Sequence, residues 1–442
     1  MTHDEYDVLV LGAGAAGLAA ARALAATGRR VALVEARKRV GGRIHTEHVV
    51  DRISGSAVPV ELGAEFIHGL PKNLWGLVDE AGLETIERGG SRLHYDAGRL
   101  SEHETAALDV LEYLPTWLEA QSPAQDFSFA DYLRIARIEA EAAAQASAYV
   151  EGFNAADHNR ISVRALVKQQ LAEDAIEGDR LFHVTQGYDA IPAYLARQFS
   201  SQGGKLLLDR PVHTVRWTRD SVGFEGRDSL GVDFSLRARQ AVITLPLGVL
   251  QAGTVRFDPD PARLIGQARR MAMGDAWRMS LLFRAPIWPH AMSFLFTAHA
   301  RPSTWWTPFP DSTPMITAWT GGPATASLAD PSFEPNAGAS PLDRALQILA
   351  HVFDRSVPDL QSQLVSWHTA DWRADPYARG AYSYVVAGEI DAPEQLCTPI
   401  GETLYFAGEH TDVTGHWGTV HAALGTGLRA AAQLIGGERG DA

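Results

Sequence analysis

The sequence predicts an α/β protein in which a second lobe is inserted into the first, and three observations predict it. The opening residues read as strand, glycine turn, helix and strand; the closing residues return to that order; the middle changes first to helical stretches and then to a tryptophan-rich run. In order, residues 6–11 are apolar and β-branched, residues 16–26 are rich in Ala and Leu with Gly28 as a stop, and residues 31–34 form a second apolar strand. This is one βαβ unit. Residues 74–149 read as long helices, with one at 139–149 and breaks at Pro115 and Pro123. Residues 206–250 read as short strands and turns. From 262 to 372, Trp277, Trp288, Trp305, Trp306, Trp319 and Trp367 mark a sheet-plus-helix lobe. The end supplies a strand at 404–407, a glycine turn and a helix from about 419 to 435, with no internal repeat or low-complexity tract.

Composition narrows the function classes. A chain of 442 residues that is 46% hydrophobic and 21% charged has material for a sizeable core, which excludes a disordered chain. Its 39 basic and 53 acidic residues leave a net charge of −14, which disfavours nucleic acid or an anionic membrane as partner and favours cationic ligands. Cys397 is the only cysteine, so neither an intramolecular disulfide nor a cysteine-based zinc site can form, and no metal is expected. Asp4, Glu5 and Asp7 precede the first apolar run, where a secretory signal would carry basic residues, and no apolar segment reaches the length of a membrane span. A cytoplasmic protein, monomer or homodimer, is expected.

Gly12, Gly14 and Gly17 form G-x-G-x-x-G between a strand and a helix, with Ala15 and Ala16 inside the motif. Missing side chains there let backbone N–H groups and the helix dipole approach a pyrophosphate. Glu35 closes the second strand at the distance expected of a carboxylate that binds an adenosine ribose, followed by Ala36 and Arg37. Without that context the glycines would read as a packing turn. Gly41, Gly42 and Arg43 add a second flexible turn and a fixed cation suited to phosphate, which favours FAD over NAD; alone, Arg43 would read as a surface ion-pair residue.

With these motifs on the page, the chain resembles the flavin-containing amine oxidases, which include monoamine oxidases, polyamine oxidases and flavin-dependent histone-lysine demethylases. The resemblance spans nearly the whole chain. It rests on the glycine motifs, on Glu61-Leu62-Gly63-Ala64-Glu65 ahead of His68, on Gly187-Tyr188, and on Leu245-Pro246-Leu247-Gly248-Val249-Leu250. It rests further on Trp372 with Asp375-Pro376 and Gly380-Ala381-Tyr382-Ser383-Tyr384, and on Phe406-Ala407-Gly408-Glu409-His410-Thr411 followed by Thr419-Val420-His421. The implied fold is a Rossmann-like FAD-binding domain at 1–73, 203–260 and 376–442, interleaved with an α+β substrate-binding domain at 74–202 and 261–375. The implied chemistry is hydride transfer from the carbon beside an amine to the flavin, hydrolysis of the imine to an aldehyde or ketone, and reoxidation by O2 to give hydrogen peroxide.

Carried over residue by residue, Gly63, Ala64, Glu65, Gly408 and Glu409 resemble positions along the cofactor, and Val212 the residue whose backbone meets the adenine. Outside such motifs, Glu409 and Val212 would read as a turn acid and a strand residue. The helix beginning at Thr419 and Val420 would aim its positive end at the flavin. Trp372 and Tyr382 match the aromatic positions beside the flavin, with Tyr382 one wall of a cage around the substrate amine. Thr419 stands where a second cage tyrosine is common, which opens the site, and Trp417 is placed to fill the gap. His68 and Glu65 match substrate-side positions; the alternatives are a structural histidine and a turn cap.

Two departures matter. The family's lysine near the flavin is replaced by Arg278, four residues beyond Gly274, which puts O2 reactivity in question; alternatively Arg278 turns away into a salt bridge. Ala381 stands where monoamine oxidases carry a tethering cysteine, so FAD is expected to be non-covalent, and Cys397 reads as a small apolar residue. A polyamine or related amine is the expected substrate. A monoamine or L-amino-acid oxidase, an amine dehydrogenase with another acceptor, and a non-catalytic flavin-binding protein stay open. Histone demethylation is disfavoured by the lack of a coiled-coil insertion, and a carotenoid or porphyrinogen oxidoreductase by the cage segment.

Overall fold

The computed structural model describes residues 5–50, 55, 57–96, 98–102, 106–122, 125–297, 300–329 and 340–437. Asp4 and Pro123 lie outside them. The predicted βαβ unit is there: strand Glu5–Leu11, helix Ala15–Ala25 and strand Val31–Val34. Strand Val31–Val34 is buried at every position, as a strand covered on both faces of a parallel sheet should be.

Four strands run parallel in the order Lys205–Leu207, Val31–Val34, Glu5–Leu11 and Asp233–Ile243. Strand Asp233–Ile243 is long enough to serve three neighbours. One edge pairs with Glu5–Leu11; the other pairs first with the antiparallel strand Ser221–Arg227 and then with the parallel strand Leu404–Phe406. The strand Val212–Thr218 extends this sheet beyond Ser221–Arg227. Helix Ala15–Ala25 packs on the closing helix Val420–Gly437 through small residues: a Cβ at Gly427 would fall 2.1 Å from the Ala16 carbonyl oxygen.

A second sheet holds Leu364–Asp371, Ala276–Phe283, Met315–Gly321, Thr304–Trp306, Met292–Thr297, Ser91–Asp96 and Arg99–Ser101 in that order. It is antiparallel except where Met292–Thr297 meets Ser91–Asp96. Helices Ala106–Glu119, Phe129–Ile135, Ala140–Asn154 and Val163–Asp174 bury their own apolar cluster.

Two expectations for 74–149 need correction. Residues 85–101 supply short strands rather than helix, because Leu93 alone of Ser91–Asp96 is buried and backbone pairing, not an apolar stripe, defines them. Pro115 lies inside helix Ala106–Glu119 instead of ending it, where the buried Leu114 and Trp117 beside it anchor the helix. The helix expected at 139–149 begins at Ala140, capped by the Glu139 carboxylate, and continues to Asn154. Among the described residues, no helix is long and apolar enough to cross a membrane.

Candidate active site

The glycine turn is built by main-chain contact. Gly12 has φ +100°, and a Cβ on Gly17 would fall 1.8 Å from the Gly12 carbonyl oxygen, so only glycine lets the helix start this close to the strand. Gly14 bridges Gly41, whose N–H donates to the Ala13 carbonyl at 2.8 Å; the two glycine turns are thus joined. A Cβ on Gly14 would meet nothing within 4 Å, and no side chain caps the helix that follows. Free N–H groups at a helix start facing open space fit a diphosphate. Glu35 is buried and accepts from the Ala13 N–H at 2.7 Å and the Arg37 N–H at 2.9 Å. Its carbonyl accepts from the Arg210 N–H, which brings the segment leading to Val212 alongside.

From this turn a single cavity of about 1900 Å³ runs through the molecule. That is well above the roughly 300–1,000 Å³ of a pocket for one small ligand and leaves room for a dinucleotide and a second molecule. Gly12, Gly14, Ala15, Ala16, Glu35, Ala36, Arg37, Gly42, Arg43 and Val212 line one end. Gly63, Ala64, Glu65, His68, Arg278, Trp372, Tyr382, Gly408, Glu409, Trp417, Thr419 and Val420 line the rest. Gly17 is the one expected residue not on the wall; it sits behind the turn as a packing glycine.

Besides Arg37 with Glu35 at 3.8 Å, two acid–arginine pairs in the wall bear on the site. Arg43 donates from one Nη1 to the Ala381 carbonyl at 2.7 Å and to Glu409 at 2.9 Å. Glu409 also accepts from the Ser383 hydroxyl at 2.6 Å and the Gly418 N–H at 3.0 Å. Burial works to raise this carboxyl, but Arg43, His410 and Ser383 outweigh it and hold it below the ordinary carboxylate range. The second pair is Arg278 with Glu65, 2.7 Å apart and both buried. Arg278 also donates to the Gly63 carbonyl at 2.8 Å and lies over the Trp306 ring, whose Nε1 donates to Glu65 at 3.0 Å. Arg278 is therefore neither a free cation nor turned out of the cavity: it is paired within its wall.

Behind Glu65, His183 Nε2 lies 2.7 Å from Arg88 Nη1 and so accepts its N–H, which makes the ring neutral with its proton on Nδ1. Burial pushes His183 down to about 4, in agreement. Arg88, lowered by burial to about 10, keeps its charge at neutral pH. Glu65 is held below the usual range despite burial, chiefly by the Arg278 guanidinium with Arg88 beyond it.

The aromatic residues are fixed by their polar ends. Trp372 Nε1 donates to the Leu62 carbonyl at 2.8 Å, and its ring lies so near Gly63 that a Cβ there would be 3.1 Å away. The Tyr382 hydroxyl donates to the Phe153 carbonyl at 2.6 Å, and its ring packs against Gly418, which has φ +79°. Trp417 is buried, with Nε1 donating to the Asp412 carbonyl at 2.8 Å. The Thr419 hydroxyl accepts from the Ala422 N–H at 3.1 Å and caps helix Val420–Gly437, whose first turn opens on the cavity. His68 faces Phe66 and Phe153 edge-on, and burial lowers its pKa against the pull of Glu173.

Sequence reasoning missed Arg88, His183 and Trp306 around Glu65, the Phe153 carbonyl that holds Tyr382, and Glu173 near His68. Trp306 was visible only as one of a tryptophan run, and His183 and Arg88 carry no local signal. Cys397 is half-buried and absent from the cavity wall.

Comparison with known proteins identifies the family. The family described as flavin containing amine oxidoreductase matches residues 15–435. Polyamine oxidase 4 of Oryza sativa subsp. japonica is 25% identical over 96% of this chain and 87% of its own length. Lysine-specific histone demethylase 2 of Homo sapiens is 25% identical over 98% of this chain, which spans only 54% of that protein. In fold, putrescine oxidase bound to putrescine and cyclohexylamine oxidase from Brevibacterium oxydans each match at a TM-score of 0.80 and 21% identity, covering 98% of this chain and 99% of theirs. The chain belongs to the flavin-containing amine oxidoreductases, oxidoreductases that act on amines.

Proposed function

We propose that this chain is an FAD-dependent amine oxidase whose substrate is a polyamine or a related amine, with O2 as the acceptor and hydrogen peroxide as a product. One observation carries the reading: a single cavity joins the glycine turns and Glu35 to a chamber walled by Trp372, Tyr382 and Trp417, with His68 and Glu173 beyond. In this reading FAD is held without a covalent bond by the glycine turns, Glu35, Arg43, Val212 and Glu409 within a domain at 1–73, 203–260 and 376–442. Ala381, at the cavity wall, has no thiol to offer. Bound FAD supplies the acceptor for the hydride that leaves the carbon beside nitrogen.

The chain's own residues do the rest. The faces of Trp372 and Tyr382 bracket the amine and exclude water, while Trp417 takes the space that Thr419 leaves. The positive end of helix Val420–Gly437 favours negative charge on its side of the cavity. Water hydrolyses the released imine to an aldehyde or ketone. A substrate carboxylate would need a free cation, and Arg278 is already committed to Glu65, which argues against an L-amino acid. Glu173 and the net acidity suit a substrate bearing a second ammonium group.

One observation favours a second reading, an amine dehydrogenase with another acceptor: the paired, buried Arg278 occupies the position of the family's lysine. Anaerobic mixing of the purified protein with spermidine, spermine, putrescine, aromatic monoamines and L-amino acids separates these readings. Bleaching of the flavin by a polyamine, with peroxide in air, is expected. Bleaching without peroxide selects the dehydrogenase, and bleaching by an L-amino acid alone overturns the substrate class.

A further inference from the structure

We infer that Glu173, His416 and His421 form a binding site for one divalent transition-metal cation of the zinc class in the wall of the amine cavity. Their donor atoms all lie within 4.8 Å of one another, and none of the three residues is exposed. His421 is only 5% exposed, and its Nε2 is buried with no hydrogen-bond partner among the described residues. Buried ring nitrogens without partners are rare because they forfeit their hydration. His416 presents Nδ1 to Glu173 Oε1 at 3.5 Å, and the two imidazoles meet edge to face at 4.6 Å between centroids.

The donor set and spacing suit the ion. Two imidazoles and one carboxylate leave a coordination position open, as in zinc sites that keep a water, and four residues separate His416 from His421, within the usual spacing of paired histidine ligands. Zinc bonds of about 2.0–2.1 Å set donors roughly 3.3 Å apart; Glu173 and His416 already stand at 3.5 Å, so the adjustment, up to about 1.5 Å, falls on the contacts of His421 and is made by side-chain torsions. The loop carrying His416 is already fixed: Asp412 Oδ2 accepts from the N–H groups of Thr414, Gly415 and His416 at 2.9, 2.9 and 3.0 Å. Helices Val163–Asp174 and Val420–Gly437 fix the other two ligands. Glu173 and His421 line the cavity, so the site borders the chamber that takes the amine. A cation there competes with a cationic substrate for the same carboxylate.

The test needs no turnover, so it stands whether or not the amine reading does. The flavin-loaded protein, dialysed against a chelator, is titrated calorimetrically with Zn2+ alone, and with Co2+ while visible absorption is followed. One equivalent per chain is expected, with cobalt bands of four- or five-coordination, and His416→Ala and Glu173→Gln each weaken binding by more than about 100-fold, beyond what an outer-shell change costs. Flavin content and melting temperature of both variants, measured alongside, separate lost ligation from lost folding; if one misfolds, the other decides. Absence of stoichiometric uptake by the wild type, or equal uptake by a folded variant, overturns the site.

Discussion

At the glycine-turn end of the cavity the geometry is held by main chain: Gly12 and Gly17 in contact, Gly14 bridged to Gly41, and Glu35 taking two backbone N–H groups. At the aromatic end it is held by side chains drawn from separate elements, with Arg278, Glu65, Trp306, His183 and Arg88 in one buried network. The contrast teaches what each end tolerates. A turn made by close backbone approach fails abruptly when a single Cβ is added, whereas a side-chain network fails by leaving a charge unpaired.

Gly17→Ala breaks the first kind of end most severely. Its Cβ meets a carbonyl oxygen at 1.8 Å, so strand and helix must part. A loss of about 4 kcal/mol or more in denaturant unfolding is expected, with flavin released. Gly14→Ala, three positions away with open space around its Cβ, sharpens the comparison: about 1 kcal/mol or less of stability from the poorer cap, but weaker flavin retention. Equal stability losses in the two variants would mean that close approach does not govern this turn.

The aromatic end is tested by Arg278→Met, which strands Glu65 in an apolar wall. About 3 kcal/mol is expected in chemical denaturation, the range for removing one partner of a buried pair. A change within 0.5 kcal/mol, about that of an ordinary surface substitution, would show that Trp306, His183 and Arg88 suffice without it.

The fourth variant probes pH dependence. Glu61 accepts from the Thr46 hydroxyl at 2.7 Å and the Tyr188 N–H at 2.8 Å, and burial pushes its pKa up to about 8. The native state then keeps a proton that the unfolded chain releases near 4.5. The stability this contributes is full below that value and fades as pH rises through about 8. Glu61→Gln should flatten the fall in melting temperature across that window; an unchanged slope assigns the pH dependence elsewhere.

These differences also explain what the sequence disclosed. Gly12 and Gly17 were legible because a turn that excludes Cβ atoms leaves glycines at fixed spacing; Gly12, Gly14, Glu35 and Gly42 all reach the cavity wall. Trp372, Tyr382 and Thr419 were found through family likeness, since nothing local marks an aromatic residue as a wall rather than core. The strand Ser91–Asp96 was hidden because its burial does not alternate, and Glu65's partners because they arrive from three distant segments. That Arg278 would be neutralised by Glu65 is a fact of packing, not of pattern.

The long strand Asp233–Ile243 also sets the order in which the protein can be made. Among the described residues it alone joins Glu5–Leu11 to both the Ser221–Arg227 hairpin arm and Leu404–Phe406. The ribosome delivers it well after Glu5–Leu11 has emerged, and its last partner, Leu404–Phe406, later still. The first βαβ unit must therefore wait as an unfinished sheet with a bare apolar edge, and an unpaired edge of that kind is a template for aggregation during synthesis.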